Sequence, residues 1–129
     1  MNDYKPWKPL FDIPFHDLYF FELRSGINSL TVFLKVLDSD TKTLKLKFDG
    51  VIGYRVFDES SRLNSMGEDS SMSEFQTSKN SDFLNWFKEE SLGVFDEREL
   101  IHYMLCNTDN IIDVISGSLV TVEWVDSAV

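Results

Sequence analysis

Two histidines and one cysteine are the side chains of this sequence that most readily suggest catalysis. Cys106 could act as a thiol nucleophile with a histidine as its base. His102 lies four residues before it in a predicted strand, which puts the two Cα atoms about 13 Å apart along an extended chain. That distance is too long for a catalytic pair, so only His16 could serve, if the fold brings it to the thiol. Both residue types are more often structural, and we expect that role here.

Metal and cofactor chemistry has no recognisable motif in the chain. A metal site would need histidine, cysteine or carboxylate ligands clustered at short spacing. The run from Asp109 to Asp113 is too short for a calcium-binding loop of about twelve residues. We therefore predict no catalytic residues, no metal and no cofactor, and we expect a protein that is not an enzyme.

Adjacent carboxylates recur after residue 57. General acid–base catalysis would need one of two carboxylates in an apolar pocket. Adjacent pairs in loops and at a helix end are usually solvated instead. The pairs therefore predict an acidic, partner-binding surface formed by Asp58, Glu59, Glu68, Asp69, Glu89, Glu90, Asp96 and Glu97.

The net charge of −10 is confined to the same part of the chain. Residues 1–57 hold 7 acidic and 8 basic side chains, whereas residues 58–129 hold 15 acidic and 4 basic ones. The first part therefore carries +1 and the second −11. Phosphates repel such a surface, which argues against nucleic acid as the partner. A positively charged protein fits better, and we place the negative surface on the loop 58–79, the helix end and the last three strands.

Aromatic side chains make up 14% of the chain, too many for one small pocket, so most of them are expected in the core. The run Tyr19-Phe20-Phe21 lies in a predicted strand and cannot face one side, because strand side chains alternate. Either both faces of that strand are covered or one aromatic is exposed to a partner. Trp86 shares a helical face with Phe83 and Phe87, which favours the core over the rim of an interface.

These side chains must be positioned by a mostly β fold. All three prolines lie within residues 1–15, which predicts an extended arm that packs by its aromatic side chains. Asp49-Gly50 is typical of a tight hairpin turn. Alternation and turn residues predict six to seven strands, at residues 18–24, 30–36, 44–48, 51–57, 100–106, 111–116 and 119–125.

One helix separates the two groups of strands. A serine- and acid-rich segment at residues 58–79 predicts a long loop, with a short helical turn near residues 62–66. The helix after it is capped by Ser81 or Asn80 and stops at Gly93. Short turns favour antiparallel meanders over parallel crossovers. The sequence therefore predicts a single α+β domain over residues 1–129, with two antiparallel β-meanders and one main helix between them.

Length and cysteine content indicate a cytoplasmic globular protein. A chain of 129 residues can bury a core without disulfides, and the single cysteine excludes an internal one. The N-terminal residues lack the apolar run of a signal peptide, and no stretch approaches the roughly 18 apolar residues of a membrane helix. We expect a monomer or weak homodimer that binds neither nucleic acid nor membrane.

Three parts of the chain carry a resemblance to a known class of protein. They are YRVFDES at residues 54–60, FLNWFKEESLG at residues 83–93, and the strand pattern at residues 102–103, 112–115 and 122–124. Together they resemble small acidic bacterial immunity proteins encoded beside polymorphic or contact-dependent growth-inhibition toxins. The resemblance spans residues 18–125 and consists of packing residues and turns. It implies a non-enzymatic protein that binds and neutralises a cognate toxin domain.

The expected toxin is a basic nuclease, because carboxylates can mimic the phosphates that a nuclease cleft holds. One alternative is a ligand-binding or weakly enzymatic α+β domain that uses His16, His102 and Cys106. It requires those three side chains to converge in a pocket. A second alternative is a subunit of a homo-oligomer whose aromatic strand pairs with its copy.

Overall fold

The computed structural model describes residues 3–39, 42–58, 74–108, 110–118 and 120–126. Within these residues the chain forms nine strands, one α-helix and one short 3₁₀ turn at Phe15–Asp17. The strands and helix, in chain order, are β1 (Tyr4–Pro6), β2 (Leu18–Gly26), β3 (Ser29–Val36), β4 (Lys42–Phe48), β5 (Val51–Asp58), β6 (Gln76–Ser78), α1 (Asp82–Glu90), β7 (Ile101–Cys106), β8 (Asn110–Ser116) and β9 (Val120–Asp126). The predicted helical turn near residues 62–66, and most of the predicted loop, lie outside the described residues. The described end of that loop forms β6, which pairs with β1 in the predicted N-terminal arm, so two strands were not predicted from the sequence.

The strands form two antiparallel sheets, with the orders β1-β6-β7-β8-β5 and β2-β3-β4-β9. This confirms the predicted α+β class, in which strands dominate and one helix is present. The strand pairing is not that of two successive meanders, because β5 pairs with β8 and β9 pairs with β4. Each sheet is therefore completed by a strand from the other half of the chain.

Asp49-Gly50 does not form the predicted hairpin, because β4 and β5 lie in different sheets. The chain crosses from one sheet to the other at this point and crosses back after β8. The two crossings lie side by side, since the Gly117 N–H donates to the Gly50 carbonyl over 3.1 Å. Alternation specifies which face of a strand is buried, but it does not specify the strand that pairs with it.

The main core lies between the two sheets. Apolar side chains of β3 and β4 face those of β7 and β8, and the fully buried ones include Leu34, Leu46, Leu105 and Ile112. The N-terminal residues close one end of this core by aromatic contacts. Trp7 packs on Tyr103, with ring centroids 5.1 Å apart, and Phe15 packs edge-on to Phe75 at 4.8 Å.

The run Tyr19-Phe20-Phe21 is divided by a bulge in β2. The pairing with β3 shifts by one residue between Phe20 and Glu22, so Phe21 is the inserted position. Phe20 packs against the core, whereas Phe21 is 43% exposed. The Lys35 ammonium lies 4.0 Å from the Phe21 ring centroid and covers part of it. One of the three aromatics is therefore exposed.

Helix α1 lies on the outer face of the five-stranded sheet. The Leu84 N–H donates to Ser81 Oγ over 3.1 Å, which identifies Ser81 as the N-cap. After Glu90 the chain turns through Gly93, whose φ of 81° is the conformation that favours glycine. Phe83 and Leu84 pack against Ile115 of β8 and against Leu100, which directly precedes β7. The helix is too short and too polar to cross a membrane.

Candidate functional site

The structure does not gather the two histidines and the cysteine into one pocket. His16 is exposed in the 3₁₀ turn, whereas His102 and Cys106 are buried on the helix-facing side of β7. Cys106 packs with Met104 and Ile111 in a small apolar cluster. The predicted structural role of His102 agrees with its burial, which is complete and not partial.

His102 belongs to a buried polar network that joins α1 to the sheet. Its Nδ1 lies 2.7 Å from Ser81 Oγ, and its Nε2 lies 2.6 Å from Asp113 Oδ1. Arg55 Nε donates to the other carboxylate oxygen of Asp113 over 2.8 Å. Ser81, His102 and Asp113 are all fully buried. A helix cap, a histidine and an ion pair are thus linked in one chain of contacts.

The protons in this network can be assigned from its donors and acceptors. A carboxylate only accepts, so His102 Nε2 donates to Asp113. Ser81 Oγ already accepts from the Leu84 N–H, and its own hydroxyl proton is left to donate to His102 Nδ1. A neutral imidazole therefore satisfies every contact. Complete satisfaction matters here, because an unpaired buried polar group is costly.

The order hydroxyl, imidazole, carboxylate is also that of a serine-hydrolase triad. Two observations favour a structural role for Ser81, His102 and Asp113. The Ser81 hydroxyl is buried and holds the first turn of the helix, and none of the three residues lines the groove beside them. The network docks the N-terminus of α1 on the sheet and fixes Arg55.

A groove of about 590 Å³ lies between α1 and β5. Five of its eight lining residues are aromatic, and the full lining is Gly53, Tyr54, Arg55, Phe57, Phe83, Trp86, Phe87 and Ile115. Its volume is in the range of small-ligand and side-chain pockets. Arg55 is its one cation, and the guanidinium carbon lies 4.1 Å from the Phe83 ring centroid.

Trp86 corrects the sequence-based expectation of a core position. Its side chain is 55% exposed and stacks parallel to Phe83, with centroids 6.1 Å apart. A nine-residue helix buries only a narrow stripe, and Phe83 and Leu84 fill it. Tyr54 and Phe57 on β5 are also exposed, at 40% and 43%. The groove therefore presents three large aromatics to solvent.

The predicted acidic residues that the structure describes lie near this groove or beyond the end of α1. Asp58 is exposed at the end of β5, directly after the groove residue Phe57. Glu89 and Glu90 are exposed in the last turn of α1, and Asp96 and Glu97 are exposed in the turns that follow. The other three predicted positions, Glu59, Glu68 and Asp69, lie outside the described residues.

Two of the described acids of the last three strands do not form the continuous negative surface that the sequence suggested. Asp113 is fully buried and bonded to Arg55. Glu123 lies on β9 in the other sheet, with its carboxylate 3.8 Å from the Lys45 ammonium. The acids of the C-terminal strands are therefore separated by the exchange of strands between the sheets.

Exposed carboxylates lie on both elements that border the groove. Asp58 is the last residue of β5 and Glu90 is the last residue of α1, and both are exposed. Phe83, in the first turn of α1, lies against Arg55, whose guanidinium carbon is 4.1 Å from the Phe83 ring centroid. Because strand side chains alternate, Asp58 faces the opposite side of the sheet from Arg55 and Phe57.

Sequence reasoning did not identify Arg55 and Asp113 as residues of the site. Asp113 could have been found, because it occupies an inward position between Ile111 and Ile115 in an apolar strand and requires a buried partner. Arg55 gives no such signal, since a charged residue within a strand is usually solvated. Comparison of the chain with protein-family models, with curated proteins and with solved structures gives no match.

Proposed function

We propose that this chain is a non-enzymatic immunity protein of the toxin-neutralising kind, which binds a cognate toxin domain with a basic surface. The observation that carries the proposal is the exposed groove of Tyr54, Arg55 and Trp86, with the exposed carboxylates Glu89 and Glu90 in the last turn of the helix that borders it. Tyrosine, arginine and tryptophan are the residues most enriched at binding hot spots. A groove with an aromatic anchor and exposed carboxylates near it suits an inhibitor that binds a basic protein tightly.

The exposed carboxylates and the aromatic groove would have separate roles in binding such a partner. Exposed carboxylates such as Glu89 and Glu90 attract a basic domain over distances near the Debye length and raise the association rate. The aromatic groove provides the short-range contacts that slow dissociation. A basic nuclease cleft is a suitable target, because carboxylates can occupy the places of the phosphates. A cytoplasmic location fits a single cysteine that cannot form an internal disulfide.

The first experiment isolates the partner with the wild-type chain as bait and measures its association rate by stopped flow as salt is raised. We expect a basic domain whose association rate falls steeply between low and physiological ionic strength. The double variant Glu89→Gln/Glu90→Gln should lower the rate severalfold at low salt. A rate that does not respond to ionic strength would refute the proposal.

The matched control is Glu22→Gln/Glu123→Gln, which makes the same change in net charge on the outer face of the four-stranded sheet. Both carboxylates are at least partly exposed, at 38% and 51% of the side chain. This control variant should associate with the partner faster than the Glu89→Gln/Glu90→Gln variant does. Equal effects of the two variants would show that only the total charge matters, and not the surface beside α1.

A further inference from the structure

Arg55 is the one charged side chain among the described residues that line the groove. Its guanidinium carbon lies 4.1 Å from the Phe83 ring centroid and 5.9 Å from that of Phe57. Its Nε donates to the carboxylate of Asp113, which is its direct cross-strand neighbour on β8. Two rings and a carboxylate therefore fix the guanidinium before a ligand arrives. A side chain that is already fixed loses little entropy on binding, which favours affinity.

The bond to Asp113 leaves part of the guanidinium available to a ligand. Nε is the one atom of the Arg55 side chain that has a hydrogen bond within the part of the chain that the structure describes. The two Nη atoms form the fork that binds a carboxylate through two parallel hydrogen bonds. The Arg55 side chain is 34% exposed and borders the groove. An anion in the groove can therefore reach donors that are already oriented.

Aromatic side chains form most of the remaining contact surface of the groove. Trp86 is 55% exposed and Phe57 is 43% exposed. The groove encloses about 590 Å³, which is in the range of sites for small molecules. Aromatic rings that stack or meet edge-on gain more than the burial of their area alone provides. The groove therefore suits a planar ligand with one or two aromatic rings.

We propose that the groove between β5 and α1 binds a small planar aromatic carboxylate. The ligand carboxylate accepts two hydrogen bonds from the Arg55 guanidinium, and the ligand ring packs against Trp86 and Phe57. This inference goes beyond the proposed function, because it assigns the groove a small-molecule ligand and does not concern the protein partner.

The sign of the ligand charge follows from what already occupies the aromatic rings. An aromatic groove can also bind a cation through the faces of its rings. Here the Arg55 guanidinium lies on the Phe83 ring and would repel a second cation. The described lining holds no carboxylate to pair with a ligand cation, and Asp113 is fully buried. An anion is therefore the charged ligand that this groove favours.

The test is a ¹H–¹⁵N NMR titration of the whole protein with indole-3-acetate. We expect shifts of the amides of residues 54–57 and of the Trp86 indole N–H, with a Kd of about 1 mM or tighter for a ligand of about 13 heavy atoms. Indole-3-acetamide keeps the ring without the charge, and cyclohexylacetate keeps the carboxylate without an aromatic ring. Each should bind at least about tenfold more weakly than indole-3-acetate.

Three results of this titration would overturn the inference. The first is no shift at 10 mM indole-3-acetate, about ten times the expected Kd, or shifts confined to other surfaces. The second is equal binding of indole-3-acetamide, which would show that the carboxylate is not recognised. The third is tighter binding of tryptamine, which would assign the groove to an aromatic cation.

Arg55→Lys tests the guanidinium, because lysine keeps the charge beside Asp113 but lacks the planar fork. It should weaken indole-3-acetate at least about fivefold. Arg24→Lys is the matched control, since Arg24 also bonds a carboxylate, that of Glu22, and lies over the Phe33 ring, but it belongs to the other sheet. The control should leave the affinity unchanged. Wild-type affinity of Arg55→Lys would contradict the assigned contact.

Trp86→Ala tests the aromatic contact without touching the buried network, so it also serves if Arg55→Lys does not fold. Trp86 is exposed, and the variant should keep the wild-type melting temperature while it weakens indole-3-acetate at least about fivefold. Phe21→Ala removes an exposed aromatic from the other sheet and should leave the affinity unchanged. Equal losses in the two variants would show that the ligand does not occupy the groove.

The ligand site and the proposed function can fail separately. If indole-3-acetate binds as expected but the protein partner associates without salt dependence, the proposed function is wrong and the ligand site stands. If the association rate falls with salt but no carboxylate binds beside Arg55, the ligand site is wrong and the acidic-surface proposal stands.

Discussion

At the scale of single residues, the buried carboxylate of Asp113 links the interior of the protein to its surface groove. One of its oxygens accepts from His102 and the other from Arg55, whose side chain is 34% exposed. A buried ion pair contributes little net stability, but loss of one partner is costly because the other stays desolvated. Asp113 therefore holds both His102 in the interior and Arg55, the cation that lines the groove.

We predict that Asp113→Asn lowers the free energy of unfolding by about 3 kcal/mol, since one partner of a buried ion pair is neutralised. The estimate is at the low end of the usual range because Arg55 keeps partial access to water. Chemical denaturation monitored by circular dichroism measures the change. Glu22→Gln is the control.

The Glu22–Arg24 ion pair of this control is exposed, and the hydrogen bond from Arg24 lowers the pKa of Glu22. Its loss should not change stability measurably. A similar cost for Asp113→Asn and Glu22→Gln would contradict the structural role of the buried network.

At the scale of elements, α1 depends on its first turn. The helix has nine residues, and an isolated helix of that length is unstable in water. Ser81 caps it and also contacts His102 at 2.7 Å, so the cap is attached to the sheet. The aromatic residues that face the groove from this helix are positioned by that attachment.

Ser81→Ala should destabilise the protein in two ways. Loss of the cap costs about 1 kcal/mol, and His102 Nδ1 without its donor adds about 1–3 kcal/mol. Asn80→Ala removes only an exposed bond from Asn85 and should cost about 0.5 kcal/mol or less. Urea denaturation curves of the two variants compare these costs. If Asn80→Ala costs more than Ser81→Ala, the assignment of the cap is wrong.

At the scale of the whole molecule, the exchange of β5 and β9 between the sheets gives the protein two different surfaces. The α1 side carries the exposed acids Glu89, Glu90, Asp96 and Glu97. The outer face of the four-stranded sheet carries Arg24, Lys35, Lys45 and Lys47, beside the acids Glu22 and Glu123. The charge difference between the two parts of the sequence thus becomes a difference between two sides of the fold. Such a charge distribution orients an approaching basic partner toward α1.

The two chain crossings that produce this arrangement are tightly packed. A Cβ at Gly50 would lie 2.5 Å from Ser118 Oγ and 2.9 Å from Ser118 Cβ. Gly50→Ala should therefore cost about 1–3 kcal/mol, because the crossings must move apart. Gly53→Ala, where the added Cβ meets open space, is the matched control and should not lower the melting temperature. Scanning calorimetry distinguishes the two, and an unchanged melting temperature for Gly50→Ala would mean that the crossings are loosely packed.

The sequence by itself determined seven of the nine strands, the helix and part of the surface chemistry, but it did not predict the short strands β1 and β6. The predicted strand at residues 51–57 and the helix after Ser81 match β5 and α1 closely, because alternation, capping and turn residues act over a few neighbouring positions. The exposed positions of Glu89 and Glu90 agree for the same reason.

Only the tertiary structure decided which strands pair, and therefore where the groove lies. Arg55 and Asp113 are 58 residues apart in sequence and 2.8 Å apart in the fold, and they meet because β5 joins β8. Many pairings bury the same faces of amphipathic strands equally well, so local pattern does not choose among them. The sequence predicted a core position for Trp86, which is exposed, for a related reason: the sheet beneath α1 sets how wide a stripe of the helix is buried.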